Sequence, residues 1–114
     1  MDDWLRQEAV NQTRFRSINE SIESTTDALG VHEARDVYVC ECGDGECRAP
    51  IRLTREEYER VRRESTYFAI AIDHENPEID RLVSENGRYA VVQKSIAMAV
   101  RIARETDPRQ YSAS

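Results

Sequence analysis

The sequence predicts an α+β fold: a small, mostly antiparallel four-stranded sheet with N-terminal, middle and C-terminal helices, built around a pinned β-hairpin. Three observations carry that expectation. Apolar side chains recur at helical spacing through residues 3–29, a stretch without proline. Four short runs rich in β-branched and aromatic residues follow, at 36–40, 50–53, 67–72 and 88–93. All three cysteines of the chain, Cys40, Cys42 and Cys47, fall in the loop between the first two runs.

At 114 residues the chain has room for one domain and one core. Hydrophobic residues make up 39% and charged residues 33%, which is polar for a globular protein but not the profile of a disordered one. The expected division is an amphipathic helix over 1–30, a core over 36–105 and a frayed tail over 106–114.

In the first helix, Phe15, Ile18, Ile22 and Leu29 form the inward stripe, with Thr25 filling its gap and Trp4 and Leu5 extending it. Arg14, Arg16, Glu20 and Glu23 face solvent, and Gly30 stops the helix. The runs 36–40 and 50–53 pair as an antiparallel hairpin. Thr54-Arg55-Glu56-Glu57 is a capping box that opens a helix of about ten residues, with Tyr58 and Val61 inward. Its other positions alternate Arg and Glu, read as a solvated face laced with ion pairs. The run 67–72 puts Phe68, Ile70 and Ile72 on one face and the small Ala69 and Ala71 on the other. Asn76 and Pro77 are a good N-cap and first residue for a short helix over 77–84, stopped by Asn86-Gly87. A last strand precedes a helix from Ser95 with Ile96, Val100 and Ala103 on its apolar side.

The cysteine loop carries the chemistry. Zinc takes four soft or borderline ligands in a tetrahedron. Cys40 and Cys42 share a strand face, and Gly43 and Gly45 let the chain turn so that Cys47 folds back beside them. The fourth ligand comes from elsewhere. His74 follows a core strand and precedes the capped helix expected over 77–84, so its backbone is fixed on both sides. His32, the other histidine, lies in a looser connector. Asp44, Glu46 and Glu75 are fallbacks, since structural zinc sites favour Cys and His. The expected site is Cys40, Cys42, Cys47 and His74 around one structural zinc per chain. With the count of cysteines odd, they cannot close into disulfides within the chain.

Val39-Cys40-Glu41-Cys42-Gly43-Asp44 with Cys47, then Ile51-Arg52-Leu53-Thr54 leading into Glu57-Tyr58-Glu59-Arg60-Val61-Arg62, resembles a family of small, uncharacterised actinobacterial proteins. The likeness runs on through His74, Pro77-Glu78-Ile79, residues 86–94 and Glu105-Thr106-Asp107-Pro108-Arg109, and includes residues 15–20. Members carry proline at the positions of Gly45 and Arg55, and glycine at that of Asp73. The resemblance implies the same fold and the ligand set Cys40, Cys42, Cys47 and His74, and no activity.

The net charge of −6 argues against nonspecific nucleic-acid binding, which needs a surplus of Lys and Arg on one face. No apolar run approaches a membrane span, and the polar start Met1-Asp2-Asp3-Trp4 is not a signal peptide, so the expected location is the cytoplasm. No phosphate loop, dinucleotide fingerprint or nucleophile elbow is present. The expected function is a zinc-stabilised, non-enzymatic regulatory or adaptor protein that binds another protein, with no catalytic residues. Three alternatives use the same residues. One is a thiol redox sensor in which Cys40 and Cys42 pair on oxidation. Another is a zinc-dependent hydrolase with Glu75 as base. The third is a DNA-binding regulator that gathers Arg14, Arg16, Arg60 and Arg63 on one face.

Overall fold

The computed structural model describes residues 3–31 and 34–111. Helix α1 (Asp3–Leu29) leads into a hairpin of β1 (Asp36–Val39) and β2 (Pro50–Leu53). Helix α2 (Arg55–Arg62), strands β3 (Tyr67–Ile70), β4 (Asp80–Glu85) and β5 (Ala90–Lys94), helix α3 (Ala97–Glu105) and a 3-10 turn (Pro108–Tyr111) follow. The fold is α+β as expected, but the described strands form two antiparallel sheets rather than one of four strands. The first is β1-β2 and the second has the order β3-β5-β4.

The extra strand comes from residues 77–84, where the sequence predicts a helix. Asn76 does begin a turn: its Oδ1 accepts from the Glu78 amide at 3.0 Å, and its carbonyl accepts from the Asp80 amide at 2.8 Å. The turn goes no further because Asp80 is drawn into the interior. Its carboxylate meets the Lys94 ammonium on β5 at 2.5 Å, with both side chains almost wholly buried. Strand pairing with β5 then satisfies the backbone over 80–85, with a bulge between Leu82 and Ser84. Asn86-Gly87, read from sequence as a helix stop, is the hairpin turn between β4 and β5. Gly87 sits at φ +88°, and Asn86 Oδ1 accepts from the amides of Arg88 and Tyr89.

Helices cover both faces of the three-stranded sheet. Strand alternation sends Ala69 and Val91 to the side where Tyr58 and Val61 of α2 pack with Tyr38, Ile51 and Leu53 of the hairpin. It sends Phe68, Ile70, Ala90 and Val92 to the side of Ala103 on α3, and Cys40 and Cys42 join that cluster. The capping box is formed: the Glu57 amide donates to Thr54 Oγ1 at 3.0 Å and the Thr54 amide to Glu57 Oε1 at 2.8 Å.

Helix α1 is where the sequence expected it, but it is turned to bury a different face. The buried positions are Ala9, Gln12, Thr13, Arg16, Asn19 and Glu23. The expected inward stripe lies on the flank: Ile18 is 45% exposed and Leu29 67% exposed, while Phe15 and Ile22 are half-buried. Polar partners explain the rotation. The Arg16 guanidinium donates to the carbonyls of Ser65 (2.6 Å) and Ala103 (2.9 Å) and sits 4.8 Å over the Phe68 ring. Gln12 bonds to Lys94 and Asp80. Nor is the Arg/Glu pattern of α2 all solvated. Arg62 is buried and paired with Glu20 and Asp107, each at 2.5 Å. The segment after α3 is held rather than frayed. Asp107 is buried, and Arg109 bridges Glu20, Glu23 and Glu59. Residues 112–114 lie outside the described residues.

Candidate metal centre

Cys40 sits at the end of β1, where its amide still donates to Ala49 across the hairpin at 3.1 Å. Beyond it the chain turns: the Glu46 amide donates to Asp44 Oδ1 (2.9 Å) and the Cys47 amide to the Asp44 carbonyl (3.0 Å). That Asx turn carries Cys47 back toward Cys40. His74 arrives from the other sheet. After β3 the chain reverses, the His74 amide donating to the Ala71 carbonyl at 3.1 Å, with Asp73 at φ +68°. This is the left-handed region that glycine enters most easily.

The reversal brings His74 Nδ1 to 3.5 Å from Cys40 Sγ and 3.6 Å from Cys47 Sγ. The ligand atoms of Cys40, Cys42, Cys47 and His74 all lie within 4.8 Å of one another. The fit to a metal follows from lengths. With zinc–sulfur bonds of about 2.3 Å and zinc–nitrogen bonds of about 2.0–2.1 Å, a tetrahedron has a sulfur–nitrogen edge of about 3.6 Å. The two histidine–sulfur separations match that edge, and the four residues expected from the sequence lie close enough together that they could hold a single metal ion. His32, the other candidate for the fourth ligand, lies outside the described residues.

The surroundings favour negative charge on one of the three sulfurs, that of Cys42. The Ala71 amide donates to Cys40 Sγ at 3.1 Å. Cys42 is held down at about 5, first by a hydrogen bond from the Cys40 thiol and then by the Asp44 amide, His74 and Cys47, with burial working the other way. Cys40 is raised correspondingly, because it gives that hydrogen bond and is buried, and burial raises Cys47. The cluster alone thus favours one thiolate. A metal cation would supply the charge that lets all three sulfurs ionise.

Four residues beside the ligands escaped the sequence reading. Glu41, between two ligands, is fully buried on the opposite side of the strand. Its carboxylate accepts from Asn19 Nδ2 (2.8 Å), the Tyr58 hydroxyl (2.9 Å) and the Ala69 amide (2.9 Å). Asn19 also bonds both backbone groups of Val39, its Nδ2 to the carbonyl and its Oδ1 to the amide, each at 2.8 Å. It thereby caps β1 as a neighbouring strand would. Nearer the N-terminus, Asn11 Nδ2 donates to the Gly43 carbonyl (2.9 Å), and Glu8 Oε2 accepts from Asn76 Nδ2 (2.5 Å). One turn of α1 therefore touches both ligand-bearing loops. Gly43 permits this approach, since a Cβ there would stand 2.8 Å from the Glu8 Cβ. Strand alternation marks Glu41 as inward once Cys40 and Cys42 are ligands. No local pattern marks Glu8, Asn11 or Asn19 for this role, since the loop and strand groups they bond lie twenty or more positions away.

A cleft of about 390 Å3 opens beside the centre, lined by Glu8, Cys42, Asp44, His74 and Glu75 among others. Glu75 Oε1 is buried with no hydrogen-bond partner. Among the described residues no helix is long and apolar enough to cross a membrane. Comparison with protein-family models, curated proteins and solved structures finds no match.

Proposed function

We propose that this chain is a small zinc-binding protein in which one zinc, held by Cys40, Cys42, Cys47 and His74, is structural, and that it works without catalysis by binding another protein in the cytoplasm. The observation that carries the reading is the four-ligand cluster spanning 4.8 Å. Three thiolates and an imidazole select zinc over harder cations, and four protein ligands complete its tetrahedron without solvent. The cluster joins the β1–β2 loop to the loop after β3, so binding would link the two sheets and add to folding. The resemblance to the small actinobacterial family belongs to the same proposal.

The test is metal content by native mass spectrometry on wild type and His74→Ala, paired with the thermal transition. One zinc per chain, weakened together with the transition in the variant, is the expected result. Metal-free protein from a reduced, chelator-free preparation would overturn the reading.

The unpartnered Glu75 Oε1 beside His74 favours a second reading, a zinc hydrolase with Glu75 as base. It requires one of the four ligands to give way to solvent. Cobalt-substituted protein separates the two: a spectrum unchanged by added anions supports the closed centre, and one that responds supports the hydrolase.

A further inference from the structure

Beside the metal loop runs a second groove, of about 350 Å3, with α1 as one wall and the loop as the other. Phe15 and Ile18 from α1 and Val39 from β1 supply its apolar surface. Among the described residues, Arg14 and Arg48 are the only charged ones lining it. The Arg48 guanidinium reaches only the carbonyls of Gly45 (3.2 Å) and Cys47 (2.9 Å), and among the described residues neither arginine is in an ion pair. Their situation contrasts with Arg55, Arg62, Arg88 and Arg109, all held by carboxylates of this chain. In a protein of net charge −6, an apolar groove that no carboxylate lines, flanked by two unpaired guanidiniums, is complementary to a ligand of opposite sign.

We infer that this groove binds a peptide segment of a partner protein carrying an apolar side chain flanked by carboxylates. The apolar side chain packs on Phe15, Ile18 and Val39, and the carboxylates pair with Arg14 and Arg48. The metal has a part in this. Cys47 lines the groove, Arg48 follows it, and Asn11 ties the α1 wall to the loop through Gly43. Asn11 therefore sets the distance between the walls, and a metal bound at Cys47 would hold the loop wall in shape. The inference rests on the proposed zinc centre and names the class of partner.

The test begins with a random-peptide phage library panned on the metal-loaded full chain. Enriched peptides are then synthesised and titrated by fluorescence anisotropy, with zinc content measured on the same samples. The expected winners place Asp or Glu on either side of a large apolar residue. They bind about tenfold or more weakly to Arg14→Glu/Arg48→Glu, more weakly to Ile18→Asp, and less tightly as salt rises. All three positions are exposed, and because Arg48 also bonds the Gly45 and Cys47 carbonyls of the metal loop, binding is compared at matched zinc content and below each variant's thermal transition. The inference is overturned by a selection that enriches nothing, by winners lacking acidic residues, or by binding unchanged in both variants. Self-association in sedimentation velocity that Ile18→Asp abolishes would give the groove to a second copy of this chain and overturn it as well. One zinc per chain without peptide binding defeats the groove alone, whereas peptide binding by a chain that takes up no zinc defeats the metal reading.

Discussion

Replacing Asn19 by alanine should cost far more than replacing its neighbour Ile18, although the sequence pattern ranks them the other way. Asn19 is wholly buried and makes three bonds of 2.8 Å: to both backbone groups of Val39 and to the buried carboxylate of Glu41. Alanine leaves the Val39 amide and carbonyl without a partner, at about 1 kcal/mol or more each, and removes one charge-assisted bond worth about 1.5–3 kcal/mol. Glu41 keeps Tyr58 and Ala69, so it is not stranded. Alanine's better helix propensity returns about 0.5 kcal/mol. The net is a destabilisation of about 3 kcal/mol, or a thermal midpoint lower by about 12 °C for a domain of this size. Ile18, at 45% exposed, gives up only part of a buried side chain, so Ile18→Ala should cost under about 1 kcal/mol. Urea denaturation followed by far-UV circular dichroism, on metal-loaded samples at matched protein concentration, measures both. A cost for Asn19→Ala below about 1 kcal/mol, or below that of Ile18→Ala, would refute the claim that α1 is docked through its polar face.

Three further outcomes follow from the same geometry. Gly43→Ala drives a Cβ to 2.8 Å from the Glu8 Cβ, so it should destabilise by about 1–3 kcal/mol and loosen zinc in a chelator competition; unchanged retention would show that α1 need not press on the loop. Asp73 holds φ +68°, so Asp73→Val should cost about 1–2 kcal/mol while Asp73→Gly is close to neutral, as chemical denaturation of both variants would reveal. Burial, then a hydrogen bond shared with Glu59, pushes the Glu23 carboxyl from 4.5 up to about 7. A carboxyl raised in the folded state contributes stability that is full below about pH 4.5 and lost as the pH climbs through about 7. Wild type should therefore lose stability relative to Glu23→Gln between those pH values, and a constant difference across the window would contradict the assignment.

Much of this protein could be read from one sequence because its strongest signals are local. The capping box Thr54/Glu57 and the extent of α1 depend on neighbours within a few residues, and the pairing of 36–39 with 50–53 joins runs separated by a single loop. The grouping of Cys40, Cys42, Cys47 and His74 was legible in part for a related reason. Three cysteines confined to one loop leave little freedom in where a metal would sit, whereas His74 was singled out by a helix expected over 77–84 that does not form; a turn at Asn76 stands there instead. The errors share a cause too. Asn76-Pro77 starts a turn wherever it occurs, but whether the turn becomes a helix depended on Lys94 on a later strand, which draws Asp80 into a sheet. The apolar stripe of α1 is real as a pattern, yet the helix buries Arg16, Asn19 and Glu23 instead. The carbonyls of Ser65 and Ala103, the backbone of Val39 and the carboxylate of Glu41 lie against that face.

The extent of α1, the capping box and the crowding of three cysteines into one loop follow from short stretches of the chain, because helix spacing, caps and turn chemistry are local properties. The face that α1 buries, the split into two sheets, and the bracing of the cysteine and His74 loops by Glu8, Asn11 and Asn19 come instead from tertiary packing. Each of those outcomes turns on satisfying buried polar groups with partners distant in the chain, and that balance is settled only when the whole chain has packed.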